Sequence, residues 1–207
     1  MKIIKEMPEG YKRICNVNLQ KDKKLSLKIN IISIVIAVLM AAPMIYFVPL
    51  TDVLDFSNGF EGIMNEIILL LVAMTAYIVL HEAVHGVFMK IFGCKKLKFG
   101  FTGLYAFAGT DELISKKAYR IIAMAPVVIW GVVLLALLFI PMGKPLFWLF
   151  YLLEIVNVSG AVGDIFVTLK FNKMPEDILI HDNGVSMNVY SKEEYVEEPT
   201  EKEYDID

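Results

Sequence analysis

At 207 residues the chain has room for one ordinary domain, and 57% of those residues are hydrophobic. Soluble domains run at about 45–50% apolar, so the composition excludes an ordinary water-soluble globule and points to a membrane class. The net charge of −3 says little, because the basic and acidic residues keep to different stretches. Cys15 and Cys94 stand far apart with no CxxC pair, which excludes a disulfide framework and a cysteine metal knuckle.

Residues 1–28 hold eight basic side chains and lack the order of a cleaved signal, which is a short basic start, an apolar core and a small-residue site. They are expected to form a basic cytosolic segment leading into a retained span. Four stretches have the length and apolarity of a transmembrane helix, about 20 residues. Ile29–Pro49 is uncharged and contains Pro43. Ile63 to about Phe92 carries Glu66 and the sequence His-Glu-Ala-Val-His. Ile121–Pro141 is again uncharged. Pro145–Leu169 is interrupted by Glu154 and Asp164. The expected fold class is therefore an all-α membrane protein of four transmembrane helices, spanning 29–175 with a catalytic core at 63–170.

Between spans two and three, Lys96–Phe101 alternates polar or small residues with apolar ones. Thr102-Gly103 suits a turn, and Leu104–Ala108 suits a returning strand. This predicts a membrane-proximal β-hairpin, with an irregular amphipathic loop as the alternative. After Lys173 the chain carries eleven carboxylates against two lysines. Its start, Ile178–Tyr190, alternates enough to pack on the cytosolic face. From Ser191 the acidic tail, part of a 176–207 segment, is expected to be disordered.

The chemistry gathers at His81-Glu82-Ala83-Val84-His85. Residues four apart share a helix face, so the two imidazoles present to one point at a spacing suited to tetrahedral zinc, with Glu82 beside them as general base. Ionisable groups inside a span are costly and usually line functional cavities. A catalytic zinc normally takes three protein ligands. Asp164 is the favoured third, because it falls at a depth matching His85 in a helix that runs the same way. Glu112, Glu154 and His181 remain as competitors. Asn157 is expected on the Asp164 face as a substrate contact, and Phe99 and Phe101 on the hairpin as contacts for an extended substrate.

These residues resemble the site-2 protease group of intramembrane metalloproteases. That group combines HExxH in one span, an Ala-Gly-Pro-like element in the next and an aspartate ligand in a later one. Here the last two read Ala123-Met124-Ala125-Pro126 and Asn157 to Gly163-Asp164. The chain is more closely similar to a small bacterial membrane family of zincin peptidases, over roughly residues 63–190. It departs from the site-2 pattern at Ala125, where glycine precedes the proline, and at Ile165, where glycine follows the aspartate. The resemblance implies a zinc-dependent metalloprotease acting on a membrane protein or peptide in the bilayer. No nucleic-acid partner is expected. A non-catalytic metal-binding scaffold, or pseudo-protease, is the alternative reading.

Lysine and arginine favour the cytosolic side. Residues 1–28 carry eight of them, 90–120 carry seven, and the 51–62 connector carries none. The expected topology is a multi-pass cell-membrane protein with both termini cytosolic. A cysteine placed at Ser57 should then react with an impermeant maleimide in intact cells. Labelling there only after the cells are opened reverses the topology.

Overall fold

The computed structural model describes residues 3–49, 59–103 and 105–195. Among them, four helical stretches are long and apolar enough to cross a membrane. Helix α1, Lys23–Phe47, starts where the Asp22 carboxylate accepts the Leu25 N–H at 2.9 Å, satisfying one of the orphan donors at a helix N-terminus. Helix α2, Gly59–Ile91, carries the HExxH sequence in its last third. The most apolar windows of α1 and α2 are each only 6% buried, so their hydrophobic surface faces outward around most of the helix. Helix α3, Lys116–Leu138, packs between α2 and the last stretch.

The fourth span is not one helix. It divides at Ala161 into α4, Lys144–Gly160, and α5, Val162–Asn172. Local chemistry favours the break. Ser159 Oγ donates back to the Ile155 carbonyl at 2.7 Å, a bond that bends helices, and Gly160 and Gly163 are poor helix formers. The Asp164 side chain therefore starts from the first turn of α5. Buried Lys116 holds the other end of α5, donating to the Asn172 and Met174 carbonyls and to Glu176, which suits the negative end of a helix.

The all-α expectation is corrected by a five-stranded antiparallel sheet. Its strands are β1 (Ile3–Ile4), β2 (Lys12–Val17), β5 (Leu113–Ser115), β6 (Leu179–Asp182) and β7 (Met187–Ser191), in the order β1-β5-β6-β7-β2. The partners of β1 and β2 are distant in sequence: Ile3 pairs with Ile114, and Cys15 with Val189. Outside the alternating 178–190 stretch, no local window reveals the strands. The basic start is thus a structured edge of a sheet, and residues 179–191 form its centre. Ile114, Ile178, Ile180 and Val189 are fully buried against Phe171 and Tyr119. Most of the stretch expected to be disordered, residues 196–207, lies outside the described residues, as does the 50–58 part of the first connector.

The hairpin forms as the alternation suggests, from β3 (Lys98–Phe101) and β4 (Ala106–Gly109), closed by Thr102 N–H donating to the Tyr105 carbonyl. Helix α2 receives it at Gly86. A Cβ there would stand 2.5 Å from Cζ of Phe99, so only glycine lets the aromatic ring lie against the helix one residue beyond His85.

Both cysteines lie in the core beneath the sheet, at 7% and 2% exposure. Burial, with help from nearby Glu112, pushes the Cys94 thiol up to about 11, and the thiolate is the reactive form. Native protein at pH 7.5 should therefore resist iodoacetamide at both positions and react fully after unfolding, as read by mass spectrometry. Rapid native labelling of Cys15 would show that β2 does not stay docked on β7.

Candidate metal centre

On α2, Tyr77, His81 and His85 rise four residues at a time along one face. The face of α5 that meets them supplies Asp164. Nε2 of His81 lies 3.5 Å from Asp164 Oδ2, and Nε2 of His85 lies 3.6 Å from Oδ1. These separations exceed a hydrogen bond. They match ligand atoms around one tetrahedral zinc, where bonds of about 2.0–2.1 Å place donors about 3.3–3.4 Å apart. All three donors lie within 4.8 Å of one another. The two-imidazole, one-carboxylate donor set is one that zinc takes, so the residues fit the ion.

Each imidazole is aimed by what its other nitrogen does. His85 Nδ1 lies 2.9 Å from the Ile122 carbonyl. A carbonyl can only accept, so Nδ1 carries the hydrogen and Nε2 presents its lone pair. Ile122 can spare that oxygen because Pro126, four residues on, has no N–H to offer it. A proline inside a span thus creates the acceptor that orients a histidine on the neighbouring helix.

His81 Nδ1 lies 3.0 Å from the Tyr77 hydroxyl, which donates its own proton to Asn157 Oδ1 at 2.8 Å. The Tyr77 oxygen therefore accepts from His81 Nδ1–H. Asn157 in turn donates through Nδ2 to Glu154 Oε2 and to the Val127 carbonyl, at 3.1 and 3.2 Å. Helix α3 clears this cluster at Gly131, where a Cβ would lie 3.3 Å from Asn157 Nδ2. Such outer-shell partners fix ring orientation and ligand basicity.

Asn157, expected to touch substrate, is fully buried and is instead the residue that holds Tyr77. Asn157 and Asp164 still face α2 together, but Asn157 meets it deeper, at Tyr77, while Asp164 meets it at His81 and His85. Phe101 lines the cavity described below, whereas Phe99 packs on Gly86. The competing ligands lie elsewhere. Glu112 accepts the Lys95 N–H, Glu154 serves Asn157, and His181 sits 3.8 Å from Asp111.

A cavity of about 750 Å³ opens onto the three donors and Glu82. Its walls come from all five helices, the hairpin and the β6–β7 turn, so residues outside 63–170 help build it. The Glu82 carboxylate lies against the Ala108 N–H of β4. Bonding between Thr102 and Tyr105 sets the alternation. Gly100–Phe107 and Lys98–Gly109 are the bonded pairs, and the backbone groups of Ala106 and Ala108 point away from β3. The hairpin thus turns one backbone edge, not paired to β3, toward the cavity, and its Ala108 N–H holds Glu82. Across the same space stands Asp182, whose carboxyl burial holds above the usual carboxylate range, partly offset by Tyr119 OH and the Gly184 N–H. Sequence reasoning passed over Tyr77, the Ile122 carbonyl and Asp182. The usable signals were a tyrosine four residues before His81 and a proline four after Ile122.

Residues 74–179 match the model of a family described as "putative zincin peptidase". The match takes in α2 from before Tyr77, the hairpin, α3, α4 and α5, and so every residue of the centre. Over 123 residues the chain is 31% identical to a protein of Pyrococcus woesei titled "Uncharacterized 24.7 kDa protein in gap 5'region". That alignment covers 57% of this chain and 53% of the relative, so the chain spans about half the length of the curated relative it matches. No solved structure matches.

The two orienting bonds predict separate losses. Tyr77→Phe and Pro126→Ala should each lower zinc affinity about 10–100-fold with the helical content unchanged. The first removes an acceptor for His81, and the second restores a competing donor for the Ile122 carbonyl. Chelator competition on purified variants, with circular dichroism alongside, measures both. Wild-type affinity in Pro126→Ala would rule out the carbonyl's role.

Proposed function

The chain belongs to this family of zincin peptidases, and on that premise we propose that it is a zinc-dependent metallopeptidase embedded in the cell membrane. Its termini lie in the cytosol, and it hydrolyses a peptide bond in or near the bilayer. One observation carries the reading: His81, His85 and Asp164 converge on one point, with Glu82 in the same cavity. The membrane part rests on four apolar helices whose hydrophobic faces point outward. Shared sheet pairing brings the N-terminal strands, the 113–115 strand and the C-terminal strands to one end. The lysine and arginine bias assigns that end to the cytosol.

The two histidines and Asp164 would hold the zinc, which when bound polarises a carbonyl and acidifies water. Glu82 takes the proton from the attacking water and passes it to the leaving amine. The Ala108 N–H keeps its carboxylate turned into the cavity. A helical substrate has its carbonyls occupied, so it must first become extended. The cavity-facing edge of β4, at Ala106 and the Ala108 carbonyl, offers backbone partners for an added strand, with Phe101 beside it. This retains the site-2-like arrangement, HExxH in one span and the aspartate in a later one. A metal scaffold has no need of a carboxylate held in this place.

Glu82→Gln should keep zinc and fold while lowering cleavage at least about 100-fold, since general base catalysis typically contributes 10²–10⁴. Asp164→Ala should lose zinc at a chelator concentration that Glu154→Ala, Glu112→Ala and His181→Ala tolerate. Zinc content of purified proteins and comparative membrane proteomics of cells with wild type or Glu82→Gln provide the readouts. A Glu82→Gln protein cleaving at the wild-type rate refutes the mechanism. Full zinc in Asp164→Ala moves the third ligand elsewhere.

A further inference from the structure

Asp182 closes β6 on the cavity wall with only 6% of its surface exposed. Its backbone carbonyl accepts the Thr110 N–H at 2.7 Å, which ties the sheet to the end of the hairpin. The side chain has two neutral partners: Tyr119 OH donates to Oδ2 at 2.7 Å, and the Gly184 N–H donates to Oδ1 at 2.8 Å. An asparagine oxygen would serve either donor without the cost of burying a charge.

The only opposite-sign neighbour of the carboxylate among the described residues is His85, itself a donor of the metal centre. Among the described residues no lysine or arginine pairs with Asp182, and none lines the cavity. A divalent ion at His81, His85 and Asp164 is offset by Asp164 and Glu82, which leaves the Asp182 charge over. The groups around it are aromatic or soft. Tyr105, Phe107, Tyr119 and Met187 share the cavity wall, Tyr105 is close enough to feel the carboxylate, and the Phe107 ring lies against Gly184. A buried carboxylate beside aromatic rings is how proteins bind an organic cation.

We propose that Asp182, with Tyr105 and Phe107, forms a subsite for an aliphatic ammonium or guanidinium, so that the cavity selects substrates carrying positive charge close to the bond cut. The source is a lysine or arginine side chain, or a free N-terminal amine. This rests on the peptidase reading, in which the cavity holds the substrate.

Binding can be measured without turnover on full-length Glu82→Gln protein in detergent micelles, using short apolar fluorescent peptides. Four N-acetylated peptides differ at one position, carrying lysine, arginine, norleucine or glutamate, and a fifth is the norleucine peptide with a free amine. Lysine and arginine should bind about tenfold more tightly than norleucine, and glutamate more weakly. Adding Asp182→Asn should erase the difference while leaving norleucine binding in place. Tighter binding of the fifth peptide instead of the lysine peptide assigns the subsite to a terminal amine. If Asp182→Asn fails to fold, Tyr119→Phe decides, because it keeps the charge and frees a lone pair. The cation preference must then persist or grow, and its loss overturns the proposal. Equal affinity for lysine and norleucine overturns it as well, as does a preference that survives Asp182→Asn. Wild-type cleavage is scored separately. Cleavage without cation preference removes the subsite and keeps the peptidase, and preference without cleavage does the reverse.

Discussion

Both imidazoles turn Nε2 toward the metal point, so each Nδ1–H needs an acceptor inside an apolar bundle. The bundle has few to give, because helical carbonyls are taken by their own backbone. The chain meets the need in two ways. Pro126 withdraws an N–H and releases the Ile122 carbonyl to His85. Tyr77 brings a hydroxyl whose own proton goes to Asn157, so its oxygen must accept from His81. These bonds tie α3 to α2, and α4 to both.

The close approaches they require fall where side chains are smallest. Gly131 lets α3 pass the Asn157–Glu154 pair, and Gly86 lets Phe99 lie on α2. Two turns apart on the fourth span, Asn157 orients a ligand from within the bundle while Asp164 meets the histidines directly. One polar pair is thereby divided between support and site.

The sheet matters to the site because of where it ends. Strand β6 delivers Asp182 to the cavity, and the Thr110–Asp182 backbone bond joins the sheet to the hairpin. The hairpin's bonding alternation turns Ala106 and Ala108 toward Glu82. Chain termini remote in sequence thus close one end of a helical bundle and supply a wall of its cavity.

The four apolar helices were legible in the sequence because their signal is local: a span needs about twenty predominantly apolar residues in a row. The placing of His81, Glu82 and His85 on one face was legible for the same reason, since a spacing of four is a helical constant. The hairpin shows in its own alternation. Tertiary structure alone decided the rest. The strands β1 and β2 pair across more than a hundred positions, as Ile3 does with Ile114, and no window contains both partners. The Tyr77–Asn157 bond, the spare Ile122 carbonyl and the Asp182 wall each depend on which backbone lies opposite. That is set by packing between helices, and hydropathy along one chain does not encode it.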